Sequence, residues 1–336
     1  MFFINISVQQ NKITDQNMIS LNHMSIWDHL DELTLFDHVE SATGLKLANL
    51  CLQRKSYINR VYELEVKDTK ERIIVKFYRP GRWSKDMIQS EHDVLSHLAA
   101  LDIPVICPIP FNNVTLFTKN DIHFTCFPKC GGRTVDEFTD AQWEQVGRII
   151  GRLHLSLEKF TPFKRDIWTP KNITTTHLDT LLKQQIIPFH LEDQVKQAIT
   201  GFINTQNDLI ENTTLFPLHG DCHRGNLIYR PEEGLKLIDF DDMVIGPAIQ
   251  DIFMLLPNHW QDCEYELELI QKGYETFRPF PKKEVKIIRT LQLMRQIHFS
   301  AWCSIQQKEP HFQTYFSYLK DDKHWYELTR QLKVTQ

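Results

Sequence analysis

Two stretches near the start of the chain read as strands, RVYELEV and the largely apolar RIIVKFY, between Arg60 and Tyr78. The polar KDTKE between them reads as the turn of a hairpin. After RPGRW, Ser84 is placed to cap a helix with Asp86 in its first turn, and Met87, Ile88, Val94, Leu95 and Leu98 form one apolar stripe that runs to about Ala100. DIPV ends that helix. Residues 102–128 are rich in β-branched and aromatic side chains, which predicts further strands, and KCGGR at 129–133 punctuates them. Beyond this point the period lengthens: Trp143, Val146, Ile150, Leu153 and Leu157 recur at steps of three and four, and Gly147 and Gly151 leave room for a close neighbour. More helices are expected near 178–210, 249–256, 262–278 and 283–306, with a hairpin over 227–238. The pattern predicts an α+β chain with a loose extension at 1–22, a β-rich N-terminal lobe at 23–130 and a mostly helical C-terminal lobe at 131–336.

Composition narrows the function classes. A chain of 336 residues, 42% hydrophobic and 24% charged, can bury more than one core and is far from a disordered profile. The net charge of -5 argues against a nucleic-acid partner or an anionic membrane surface. No run of 18 apolar residues occurs, and MFFINISVQQNK lacks the basic, apolar and small-residue regions of a signal peptide. A cytoplasmic protein with no membrane and no nucleic-acid partner, acting as a monomer, is expected. The seven cysteines, at 51, 107, 126, 130, 222, 263 and 303, are odd in number and scattered, so reduced thiols are expected rather than a disulfide framework. The Cys126/Cys130 spacing, and Cys222 between His219 and His223, raise zinc as an alternative to buried or incidental thiols.

The hairpin carries the strongest chemical signal. If PEEG is the turn between LIYR and LKLI, Arg230 pairs with Leu235 and Leu227 with Ile238, which sets Asn226 opposite Asp239. Directly opposed residues have Cβ atoms about 4.5–5.5 Å apart, so an amide oxygen and a carboxylate would converge on one hard cation such as Mg2+. Five residues before Asn226 stands Asp221, in LHGDCHRGN, with the HxDxxxxN spacing of a kinase catalytic loop. Phosphoryl transfer needs one acceptor for the hydroxyl proton and neutralisation of phosphate charge. Asp221 would supply the first, and a cation at Asn226 and Asp239 the second. Asp239 ends its strand and ranks before Asp241 and Asp242 as the ligand.

In the N-terminal lobe, Glu91 falls in the middle of the apolar stripe and requires a partner. Lys76, on the strand face shared with Ile74 and Tyr78, is the candidate. An ordinary buried salt bridge is the plain alternative to a pair that orients ATP phosphates. No GxGxxG precedes the strand; KSYINR occupies that place, where Ser56 and backbone amides could contact phosphate. His219 is read as orienting the loop and His154 as packing beside its helix. Asp251 is read first as a helix-start acid and second as a support for the catalytic loop.

LHGDCHRGN together with LIDFDD resembles the aminoglycoside phosphotransferase and choline kinase superfamily, related to protein kinases. SYINRVYELE, IIVKFYRPGRW, FPKCGGR and GPAIQDIFMLL are similar to its bacterial serine/threonine protein kinases over roughly residues 25–310. The resemblance implies a bilobal protein-kinase-like fold and a serine/threonine protein kinase acting in bacterial stress response, with ATP and Mg2+ as cofactors. It implies that Asp221 is the proton acceptor, with Asp239 as the second catalytic residue. Asn226 and Asp239 become the metal ligands, and Ser56, Lys76 and Glu91 ATP-binding residues. It also implies that about Cys126 to Cys130 touches adenine and that Asp251 braces the loop. No APE motif follows Asp239, which puts activation-loop regulation in doubt. The acceptor is expected to be a protein Ser/Thr hydroxyl, including the kinase's own; a small alcohol such as choline or an aminoglycoside, or a decayed nucleotide-binding scaffold, are the alternatives.

Overall fold

The computed structural model describes residues 27, 30–54, 56, 58–307 and 316–335. The extension expected at 1–22 lies outside these. Helix α1 (Glu32–Thr43) begins where the Asp31 side chain accepts from the Thr34 backbone N–H at 2.7 Å and ends at Gly44 in the left-handed region. It packs Leu35 and Val39 on one face of an antiparallel sheet. The strands are β1 (Leu47–Arg54), β2 (Arg60–Val66), β3 (Arg72–Phe77), β4 (Phe117–Lys119) and β5 (Ile122–Pro128), in the order β1-β2-β3-β5-β4. Leu64, Val66, Ile73, Val75, Phe77 and Phe124 point toward α1, which leaves Lys76, on the opposite face of β3, toward the rest of the protein. Residues 102–116 carry only isolated bridges, at Val105, Phe111 and Val114, and strand geometry begins at Phe117.

Helix α2 (Lys85–Ala100) starts at Ser84, whose hydroxyl accepts from the Met87 N–H at 3.3 Å, the expected cap. Its stripe divides: Ile88 packs with Tyr78 and Leu116, whereas Val94, Leu95 and Leu98 join the large core of the second half. That half contains α3 (Asp140–Leu157), α4 (Thr175–Lys183), α5 (Glu192–Glu211), α6 (Ile249–Phe253), α7 (Glu264–Tyr274), α8 (Ile288–Ser304) and α9 (Asp322–Thr335). Between α5 and α6 run β6 (Leu215–Leu218), the hairpin β7 (Leu227–Arg230) and β8 (Gly234–Leu237), and β9 (Val244–Pro247), which pairs with β6. Gly147 and Gly151 do the work expected of them: α7 lies so close that a Cβ on Gly147 would stand 2.1 Å from the Ile270 carbonyl oxygen.

The hairpin register differs from expectation by one residue. Arg230 pairs with Gly234 rather than Leu235, so Leu227 faces Leu237, and the Ile238 N–H donates to the Asn226 carbonyl at 2.9 Å. The cause is Gly234, whose φ of +79° lets the chain reverse within Pro231-Glu232-Glu233. Asn226 therefore stands opposite Ile238, and Asp239 lies one residue beyond. Asp239 then leaves the strand at φ 63°, ψ 68°, a left-handed turn.

Candidate active site

The loop 219–226 is held by its backbone. Asp251, at the start of α6 and fully buried, accepts from the Gly220 N–H through Oδ1 and from the His219 N–H through Oδ2, both at 2.9 Å. Its Oδ2 also lies 3.2 Å from Nε2 of buried His154, whose Nδ1 reaches the Tyr274 hydroxyl at 2.9 Å. Burial alone would raise the Asp251 carboxyl, but the His154 hydrogen bond and the neighbouring histidines hold it below the usual range. Loop support, the second reading of Asp251, is thus the one its geometry carries. His219 orients the loop as expected: Nδ1 accepts from the Asp221 N–H at 3.3 Å, so Nε2 carries the proton and donates to the Ile238 carbonyl at 3.0 Å. Gly220 sits at φ +81°, and a Cβ there would meet the Asp242 carbonyl oxygen at 2.0 Å. Only glycine lets the loop pass that close.

Asp221 projects from this loop with its side chain 29% exposed. Its Oδ1 accepts from Arg295 Nη2 at 2.8 Å, and its Oδ2 lies 3.4 Å from His223 Nε2. Burial pushes its carboxyl up, yet the His223 hydrogen bond and the Arg295 charge outweigh this and keep it well below the ordinary value. Asn226 turns its amide back, Nδ2 donating to the Asp221 carbonyl at 2.9 Å, which leaves its Oδ1 for another partner.

Lys76 does not pair with Glu91 among the described residues, contrary to expectation. Its ammonium lies 2.9 Å from Asp241 Oδ1 and 3.2 Å from Asp239 Oδ1. Burial would lower its pKa, but Asp241, Asp239 and the nearby Glu91 hold it well above the usual lysine value. Glu91, 1% exposed, is met instead by Arg165 at 3.3 Å, and burial pushes its pKa up to about 7. Arg165 arrives from the segment between α3 and α4, so no pattern local to α2 announced it. Its other arm donates to the Asp241 carbonyl at 2.6 Å, and its guanidinium lies over the Trp83 ring.

Asp241 is the centre of this network. It is 3% exposed and also accepts from Asn59 Nδ2 at 2.7 Å and from Arg82 at 3.2 Å. Burial raises it, but Lys76 and Arg82 prevail and hold it at about 2. Arg82 reaches Asp242 at 2.5 Å with its other arm. Asn59, Arg82, Arg165 and Arg295 escaped the sequence reading. Asn59 and Arg82 lie inside stretches already singled out, whereas Arg295 sits in a helix that mixes polar and apolar residues, so nothing in its local pattern marked it. Asp239, by contrast, keeps 53% of its side chain exposed in the cleft. Ser56 stands exposed after β1.

Oxygen donors alone, one amide and one exposed carboxylate, suit a hard divalent cation completed by phosphate and water oxygens. Among the described residues no group of three or more His, Cys, Asp or Glu forms a metal site by itself, so such a cation would depend on those added oxygens.

Residues 52–280 match the phosphotransferase enzyme family. Stress response kinase A of Escherichia coli K12 is 32% identical over 314 residues, covering 90% of this chain and 91% of that protein. The serine/threonine protein kinase RdoA of Salmonella typhimurium is 34% identical over 278 residues, covering 80% and 82%. Among solved structures, an amicoumacin kinase in complex with AMP-PNP, Ca2+ and Ami superposes with a TM-score of 0.73 at 19% identity, over 93% of this chain and 95% of that one. A spectinomycin phosphotransferase does so at 0.63 and 15%, over 90% and 98%. These structural likenesses show the bilobal kinase-like fold. With the matched span and the curated relatives, they place this chain in the phosphotransferase enzyme family, as an ATP-dependent phosphotransferase.

Proposed function

We propose that the protein is a serine/threonine protein kinase that transfers the γ-phosphoryl group of ATP to a protein hydroxyl with Mg2+, in the cytoplasm and as part of a bacterial stress response. The observation that carries this reading is the anchored loop: its backbone is held by Asp251, while the Asp221 carboxylate stays 29% exposed and Asp239, after the hairpin, 53% exposed. Asp221 accepts the proton of the attacking hydroxyl through Oδ2 as the new O–P bond forms and the bond from γ-phosphorus to the bridging oxygen of ADP breaks. A weakly basic carboxylate suffices, because a loose transition state releases that proton late. Asn226 Oδ1 and Asp239 would hold Mg2+, which supplies neutralisation of phosphate charge. Lys76 presents its charge toward the phosphates and holds the Asp239 carboxylate in place. Glu91 acts one layer deeper, through Arg165 and the Asp241 turn. Ser56 contacts phosphate from the loop before β2, and the chain from about Cys126 to Cys130 borders adenine. The division between the nucleotide-binding and catalytic lobes falls near residue 130.

The names of the curated relatives support the protein acceptor and the stress role. The test is incubation with labelled ATP, a generic protein acceptor such as myelin basic protein, and a panel of small alcohols. Protein labelling is expected, reduced about 100-fold or more in Asp221→Asn with ATP binding retained. Transfer to choline or an aminoglycoside with no labelled protein would refute the protein acceptor. Near-normal turnover by Asp221→Asn would refute the role of Asp221.

A further inference from the structure

We infer that Arg295 is the positioning residue for the proton acceptor, a role that rests on Asp221 being that acceptor. The guanidinium reaches the catalytic loop from α8 and makes two bonds at once: Nη1 to the Gly220 carbonyl and Nη2 to Asp221 Oδ1, each 2.8 Å. The rest of the loop is already fixed without it. Asp251 takes the N–H groups of His219 and Gly220, His219 takes the N–H of Asp221, and Asn226 takes the Asp221 carbonyl. Those contacts hold backbone only. The Asp221 side chain retains two torsions, and the donors that set them are Arg295 on Oδ1 at 2.8 Å and, at the longer 3.4 Å, His223 on Oδ2.

The fork also divides the two carboxylate oxygens. Oδ1 is committed to Arg295, and Oδ2 takes only the longer His223 contact at 3.4 Å, which leaves it a lone pair for the acceptor hydroxyl. The platform is rigid: Leu291, Leu293, Met294 and Ile297 around Arg295 on α8 are fully buried, while Arg295 itself keeps 16% of its side chain exposed at the cleft. A planar guanidinium can span a carbonyl and a carboxylate with two parallel donors, which a lysine ammonium on a flexible stem cannot reproduce. Misplacing a reacting group by about 1 Å can cost about 100-fold in rate. Arg295 thus belongs to catalysis without touching substrate, and it couples α8 to the loop that carries the chemistry.

The experiment measures kcat and KM for ATP in Arg295→Ala, Arg295→Lys and Asp221→Asn, using whichever acceptor the wild type labels, with and without millimolar guanidinium chloride. Arg295→Ala is expected to lose about 10- to 100-fold in kcat with KM for ATP changed less than about twofold. Guanidinium should restore part of that loss, and Arg295→Lys should fall between Ala and wild type. Asp221→Asn should be as inactive with guanidinium as without it. A folded Arg295→Ala with wild-type kcat, or a loss that guanidinium leaves untouched, overturns the assignment. If Arg295→Ala does not fold, Arg295→Lys decides: wild-type kcat overturns the role, and a reduced kcat at unchanged KM sustains it. Inactive Asp221→Asn beside fully active Arg295 variants sinks this inference alone, whereas active Asp221→Asn sinks the underlying assignment of the base.

Discussion

Replacing Asp251 by asparagine removes a charge and an acceptor from the buried centre that holds the catalytic loop. The carboxylate serves three donors: the Gly220 N–H on Oδ1, and the His219 N–H and His154 Nε2 on Oδ2. An asparagine keeps one oxygen. With its amide nitrogen in the place of Oδ2, His154 can change tautomer and accept, but the His219 N–H then faces another donor. With the nitrogen in the place of Oδ1, the Gly220 N–H is the orphan. Either arrangement strands a buried backbone N–H at a cost of about 1–3 kcal/mol, and the surviving bonds drop from about 1.5–3 kcal/mol toward the neutral value of about 1. A destabilisation of about 3 kcal/mol is therefore expected by urea unfolding at neutral pH. In the fraction that remains folded, kcat should fall at least about tenfold, because Asp221 moves with the Gly220 peptide. A loss of less than about 1 kcal/mol with full kcat would refute the reasoning that this carboxylate sets the loop.

Gly147→Ala gains about 1 kcal/mol in helix propensity. Its Cβ, however, would lie 2.1 Å from the Ile270 carbonyl, so α3 and α7 must part, at an overpacking cost of about 1–3 kcal/mol. A lowered thermal midpoint is expected, with Gly273→Ala, which would meet the Glu144 carbonyl at 2.0 Å, costing less in the double variant than alone. An unchanged midpoint for Gly147→Ala would contradict the contact. His92 is held neutral in the fold, its pKa pushed down to about 3 by burial and then by the Lys76 charge. The unfolded chain then binds up to one more proton as pH falls through about 6.5, so stability should fall by about 1.6 kcal/mol between pH 6.5 and 5 from this residue alone. His92→Gln should flatten that slope in urea titrations across the range, and an equally steep slope in the variant would rule His92 out as its source.

Much of the scaffold was legible from one dimension. The two strands between Arg60 and Tyr78, the Ser84 cap, the stripe from Trp143 to Leu157 and the HxDxxxxN loop all depend on residues close in sequence, where period, cap and spacing act directly. Gly147 and Gly151 likewise announced a close helix neighbour, although not that α7 would be the one. What failed was local in appearance but decided by a single backbone angle: Gly234 at φ +79° shortened the turn, and a one-residue change of register moved Asn226 from Asp239 to Ile238. The charge partners failed for a different reason. Lys76 and Glu91 belong to neighbouring elements and carry opposite charges, yet the fold sends Asp241 to the lysine and Arg165 to the glutamate, across separations of 165 and 74 residues. A buried charge takes whichever opposite charge the packed core delivers to it with the better geometry, and that delivery is a property of the assembled core. The amino-acid sequence by itself determined which residues could do the chemistry; the tertiary structure decided which of them meet, because burial makes each ionic contact depend on segments that share no local pattern.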